Sequence, residues 1–195
     1  MLGLNRIQFA MMLWPIASSL RPLKLAFPRF YIHNIPMTED EKWMRLALVE
    51  AQKAADLEEV PVGAIAVYNG EIIGRGYNRK ECDGDPTAHA EIFALKEAAE
   101  YIGNWRLIDV TLYCTLEPCP MCAGAMIQAR LTRLVYGAKD TRFGADGSIV
   151  NVMRETKFNH VVDVTEGVLP QEAIDMLQAF FRMLRKRPAR NTPSL

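Results

Sequence analysis

Residues 110–137 read VTLYCTLEPCPMCAGAMIQARLTRLVYG, and this stretch decides the fold. Val110 to Leu116 is an apolar, aromatic and β-branched run of strand length. Cys122, Ala125, Met126 and Ala129 then recur at helical spacing, and Arg133 to Gly137 returns to strand composition. Strand, helix and strand in so short a span make a β-α-β unit, whose strands run parallel through a right-handed crossover. Such a unit places ligands at the carboxyl ends of its strands and the amino ends of its helices. The run Pro118-Cys119-Pro120-Met121-Cys122 falls at that junction.

Upstream, Thr38 followed by Glu41 is a capping box, and Ala47, Leu48, Ala51 and Ala55 continue it as an amphipathic helix of about 17 residues. Pro61 is expected to end that helix. Val62 to Tyr68 is almost continuously apolar, as a strand covered on both faces would be. Asn69-Gly70 is a strong two-residue hairpin signal, so Glu71 to Tyr77 should pair back antiparallel. A polar loop with Cys82, Gly84 and Pro86 leads to Thr87-Ala88-His89-Ala90-Glu91, after which Ile92, Leu95 and Ala99 mark a second helix. Downstream, a strand near Val161 to Thr165 and a helix from Gln171 to about Arg187 complete the chain. The expected fold is an α/β, three-layer α/β/α sandwich with a mixed central sheet of about five strands.

At 195 residues, 50% of them apolar, the chain has the material for one domain with a sizeable core. No stretch approaches the ~20 apolar residues of a membrane-spanning helix, because Pro15 breaks the nearest candidate, Phe9 to Leu20. A cytoplasmic protein is therefore expected. The formal net charge of zero hides an uneven distribution. Residues 1–36 hold Arg6, Arg21, Lys24 and Arg29 without an acid, and Arg182, Arg185, Lys186, Arg187 and Arg190 follow the last acid, Asp175. The body between them is acidic, so a polyanion would meet a basic tail rather than a basic protein. Residues 1–36 carry four prolines and no sustained periodicity, and we separate them from a catalytic domain at 37–195. They read as an unstructured extension or a mis-assigned start, with Met37 the initiator, although an acid-free, Arg-bearing segment also suits a transit peptide or a functional arm.

Cys82, Cys114, Cys119 and Cys122 stand in a chain with no export signal and a large expected core, which favours metal or redox chemistry over disulfides. Cys119 and Cys122 are three apart at a helix start, where backbone N–H groups and the helix dipole favour thiolate. His89 stands at the start of another helix. One imidazole and two thiolates leave a fourth tetrahedral position open, as in a catalytic zinc site, where the metal brings a water to a pKa of about 7. Glu91 is about 200 degrees around an ideal helix from His89, poorly placed to ligate and well placed to carry that water's proton. Taken alone, Cys-x-x-Cys also fits a redox pair, or half of a four-cysteine structural site with Cys82 and Cys114. His33 and His160 read as ordinary hydrogen-bonded histidines. The combination His-x-Glu followed by Pro-Cys-x-x-Cys is far more specific and is the signature of zinc deaminases.

With Val60 to Ala64, Asp85 to Glu91, Thr115 to Met126, Tyr136 to Asp140 and Phe180 to Met183, the chain closely resembles the bacterial tRNA-specific adenosine deaminases, within the cytidine deaminase-like superfamily, over about residues 40–187. The resemblance implies zinc on His89, Cys119 and Cys122, one ion per subunit, with Glu91 as proton shuttle. It implies a homodimer that converts the wobble adenosine of an arginine tRNA anticodon stem-loop to inosine. It further implies substrate contacts from Asn78 and Asp140, and Phe180, beside Phe181, offers a ring for RNA to stack on or simply packs in the core. Two other readings stay open at this level: a free-base or nucleoside deaminase with the same metal signature, such as a guanine or cytosine deaminase, and a non-catalytic RNA-binding module that keeps zinc for folding.

Overall fold

In the computed structural model, Thr38 caps helix α1 (Glu39–Asp56). Its hydroxyl accepts the Glu41 amide N–H, and the Glu41 carboxylate accepts the Thr38 N–H at 2.8 Å, which satisfies donors a helix start leaves open. The helix ends at Asp56, well before Pro61. Leu57 closes it, and Glu58 takes a left-handed backbone with φ of 63°, so the proline is not the terminator its position suggests. The structure describes residues 37–186; the expected extension at 1–36, with His33, and the tail cations Arg187 and Arg190 lie outside the described residues.

The hairpin forms as the sequence requires. Asn69 and Gly70 both take positive φ, 51° and 77°, between β1 (Gly63–Tyr68) and β2 (Glu71–Tyr77). β1 also pairs antiparallel with β3 (Thr111–Leu116), while β3, β4 (Arg133–Ala138) and β5 (Asp163–Glu166) run parallel. The result is a mixed five-stranded sheet in the order β2-β1-β3-β4-β5. The polar loop after β2 holds a helical turn, α2 (Lys80–Asp83), which its composition does not announce. The buried Glu59 carboxylate accepts the Cys82 amide there at 2.8 Å, a partner that sequence spacing does not reveal.

Alternate strand residues feed two cores. Ala64, Ala66, Leu112, Cys114, Leu134 and Tyr136 face the layer of α3 (Ala90–Ile102) and α4 (Pro120–Gln128). Ile65, Val67, Tyr113 and Val135 meet Trp43, Met44 and Ala47 of α1. Beside α1 lies α5 (Pro170–Arg185), whose Ala173 packs with Leu48 and Ala138. Helices on both faces of the sheet give the expected three layers. Among the described residues, no helix is long and apolar enough to cross a membrane.

Small residues let the layers approach closely. A Cβ on Gly63 would strike the backbone of Ala47 and Ala51, and one on Gly76 the Ala90 carbonyl. The second contact is the consequential one, because it seats the first turn of α3 directly on β2. A half-buried ion pair ties α1 to the sheet on the other face. Arg133 grips both carboxylate oxygens of Asp40 at 2.9 and 2.8 Å, and the Tyr113 hydroxyl donates to Asp40 at 2.9 Å. The Arg133 guanidinium holds the Asp40 carboxyl below its ordinary value of 3.8 against the opposing effect of burial.

Gly76→Ala is expected to cost about 3 kcal/mol by forcing backbone apart, lowering the thermal midpoint by roughly 10 °C in calorimetry. For Asp40, whose folded pKa is depressed, the stabilisation is complete above the unfolded value and is lost as pH falls through the folded one. Asp40→Asn should therefore destabilise by about 1–3 kcal/mol at pH 7, with the gap to the wild type closing below about pH 4 in urea titrations.

Candidate active site

The starts of α3 and α4 meet at the carboxyl end of β3. His89 is the N-cap residue of α3 and Cys119 that of α4, and neither side chain caps its own helix. For α3 that task passes to Asn78, at the end of β2, whose Oδ1 accepts the Ala90 amide at 3.2 Å. The imidazole is thereby left to face the cysteines. Its Nδ1 lies 3.6 Å from Cys119 Sγ and 3.5 Å from Cys122 Sγ, and the three ligand atoms all fall within 4.8 Å of one another. Among the described residues this is the group of His, Cys, Asp and Glu side chains placed to hold a metal ion. Cys82 is exposed on α2, so no four-cysteine site is assembled, and no cysteine is in a disulfide.

Charge is distributed unequally within the cluster. Cys122 donates to Cys119 and, with His89, brings the Cys119 thiol down to about 4, while the same contact and burial push Cys122 up. His89 is raised in turn, first by its bond to Cys119. One thiolate and one imidazole poised together are a ready donor set for a cation. Glu91, one turn position past Ala90, is 3% exposed, and its Oε2 is buried without a hydrogen-bond partner. Burial raises its carboxyl above the ordinary 4.5. An orphaned carboxylate oxygen beside a ligand cluster is costly to folding and suits a group that exchanges protons.

The remaining expected site residues are not part of this cluster. Asn78 adjoins it through Ala90. Asp140 stands in the loop after β4, where its Oδ1 accepts the amides of Arg142 at 2.8 Å and Phe143 at 3.3 Å. Phe180 is 6% exposed on α5 and packs edge-on against Phe181, and it is Phe181 that lies under the Arg142 guanidinium at 5.8 Å. His160 is hydrogen-bonded to the Leu131 carbonyl at 2.7 Å, as expected of a histidine without chemistry. Sequence reasoning passed over Glu117. It is buried just before Pro118-Cys119 and accepts amide bonds from Asp140 at 3.0 Å and Asp146 at 2.8 Å. Burial alone would raise its carboxyl, but the Ser148 hydroxyl and these amides hold it below 4.5. Its one legible signal was a charge wedged between an apolar strand and a metal-ligand motif.

A mixed sheet that presents His-x-Glu and Pro-Cys-x-x-Cys on two adjoining helix starts defines a hydrolytic deaminase. Comparison with known proteins agrees. A family profile for the MafB19-like deaminases matches residues 38–185. The tRNA-specific adenosine deaminase of Bacillus subtilis (strain 168) is 49% identical over 151 residues, 77% of this chain and 94% of that protein. That of Haemophilus influenzae is 50% identical over 148 residues, 75% of this chain and 86% of that protein. A structure solved in a study of A-to-I editing by tRNA:A34 deaminases at the wobble position of transfer RNA superposes with a TM-score of 0.67 at 44% identity, covering 69% of this chain and 98% of that one. The chain belongs to the MafB19-like deaminase family and, within it, to the tRNA-specific adenosine deaminases.

Elemental analysis of the purified protein should find about one metal ion per chain, kept in Glu91→Gln and lost in His89→Ala and Cys119→Ser. Loss of metal from Glu91→Gln would make Glu91 a ligand instead of a proton carrier.

Proposed function

We propose that this chain is a zinc-dependent hydrolase that converts adenosine to inosine at the wobble position of tRNA, in an arginine tRNA anticodon loop, with release of ammonia. The observation that carries the reading is the His89, Cys119 and Cys122 cluster with the buried, unpartnered Oε2 of Glu91 beside it. Zinc suits the donor set. Tetrahedral zinc with bonds of about 2.3 Å to sulfur and about 2.0 Å to nitrogen separates N and S ligands by about 3.5 Å, and Nδ1 stands 3.5 and 3.6 Å from the two sulfurs. Bound there, zinc supplies a water acidic enough to react at neutral pH.

Glu91 takes a proton from the attacking water and delivers it to N1 of adenine, then carries the second to the departing amine. Overall, water adds at C6 and the C6–N6 bond breaks, giving inosine and ammonia. Burial favours this shuttle, because it raises the carboxyl above its ordinary value and so eases proton uptake. Asn78, held to Ala90 between His89 and Glu91, serves substrate binding in this reading, and a wobble nucleotide enters cheaply because it is already unpaired. The relatives' tRNA specificity supports RNA as substrate over a free base. Arg182, Arg185 and Lys186 at the end of α5, with the half-buried Phe181 before them, supply cations and a ring of the kind single-stranded RNA uses. In this reading Asp140 serves substrate binding, Phe180 supports it from behind Phe181, residues 37–195 are the deaminase domain, and residues 1–36, which precede the matched region, stand outside catalysis. The enzyme works in the cytoplasm as a homodimer.

The test incubates the protein with an arginine tRNA anticodon stem-loop and, separately, with adenosine, cytidine, cytosine and guanine, reading products by mass spectrometry. Inosine in the stem-loop alone is expected, with kcat falling about 10³-fold in Glu91→Ala. Turnover of a small substrate with an untouched stem-loop would overturn the tRNA assignment.

A further inference from the structure

The buried Glu117 carboxylate has no part in the chemistry above, yet it is among the most fully used acceptors in the protein. Its Oε1 accepts the amides of Asp146 at 2.8 Å and Ser148 at 3.3 Å. Its Oε2 accepts the Asp140 amide at 3.0 Å and the Ser148 hydroxyl. Four bonds thus draw one loop, residues 139–148, onto a side chain two residues ahead of the ligand Cys119. The loop is shaped to receive it. A Cβ on Gly144 would stand 2.5 Å from the Glu117 carboxylate and from the Asp140 carbonyl, so glycine is required for the two to close. The Ala145 amide adds a bond to the Pro118 carbonyl at 2.9 Å.

The far side of the loop is built differently. Arg142 lies over the Phe181 ring, and Phe143 is 66% exposed. A guanidinium and an open ring on a fixed loop are what an unpaired, negatively charged RNA strand would meet, the cation at phosphate and the ring under a base.

We propose that Glu117 is a positioning residue for substrate: its carboxylate locks the 139–148 loop against the metal-ligand segment, so that Arg142 and Phe143 keep a fixed distance from the reacting base. The inference rests on the tRNA reading for its substrate and on the four hydrogen bonds for its geometry. Glutamine at 117 offers one acceptor oxygen and sets an NH2 group against at least one backbone N–H donor, so the anchoring is broken at Asp140 or at both Asp146 and Ser148 even if the Ser148 hydroxyl turns to accept. The reacting atoms themselves are left in place.

Full-length Glu117→Gln should keep its metal and its far-ultraviolet spectrum. Hydrogen exchange at residues 140, 146 and 148 should speed up about tenfold or more. KM for the stem-loop should rise about tenfold, with kcat changed by less than about threefold. Ser148→Ala, which removes the hydroxyl bond alone, should shift both readings the same way by less. Should Glu117→Gln fail to fold, Ser148→Ala and Gly144→Ala, which pushes the loop away while keeping the carboxylate, carry the test. Unchanged exchange, loss of metal, or a fall in kcat at constant KM would overturn the proposal. If the wild type leaves the stem-loop untouched, the tRNA reading fails, and the exchange measurement still decides whether Glu117 holds the loop.

Discussion

The close seat of α3 on β2 governs the site. Gly76 has no side chain because the Ala90 carbonyl occupies the space a Cβ would need, and Ala90 stands between His89 and Glu91. Packing this tight is what brings the histidine and the acid of one segment to the cysteines of another, 30 residues away by the Cys119 contact. Asn78 at the end of the same strand completes the arrangement by capping α3 in place of His89. Strand, glycine and cap therefore act together: the strand sets the height of the helix, and the borrowed cap frees the imidazole. A looser sheet-to-helix contact would leave the three ligand atoms without a common centre.

Two buried carboxylates flank the cluster and are treated in opposite ways. Glu91 keeps an oxygen with no partner, and burial raises it. Glu117 is saturated with donors and held low. Solvation explains the difference, since a carboxylate surrounded by N–H and O–H groups resists protonation, while one buried with an oxygen left unpartnered takes a proton more readily. The first is suited to chemistry and the second to architecture. Each stands two residues from a member of the cluster, Glu91 after His89 and Glu117 before Cys119, so the two treatments meet at one centre.

Much of the frame could be read along the chain. The capping box at Thr38 and Glu41, the turn at Asn69-Gly70 and the apolar runs of β1, β3 and β4 are short-range features whose geometry depends on neighbours in sequence. Pro61 misled because it breaks helices wherever it stands, whereas α1 is closed earlier by the left-handed turn at Glu58. α2 was invisible because a helical turn in a polar loop has no apolar face to show, and its anchor, Glu59, is 23 residues from Cys82.

For the site, the sequence by itself pointed to His89, Cys119 and Cys122, which the fold brings together, and to Glu91 buried two residues from His89. His-x-Glu and Cys-x-x-Cys have spacings imposed by helix geometry and metal coordination, so chemistry leaves its mark over a few residues. Only the tertiary structure decided that Asn78 caps α3, that Phe180 turns inward while Phe181 faces Arg142, and that Glu117 binds a loop 23 to 31 residues further on. Those contacts depend on which groups the fold leaves opposite one another after its helices and strands have packed. A hydrogen bond between distant residues has no period and no fixed spacing, and it becomes legible when the surfaces that carry it have met.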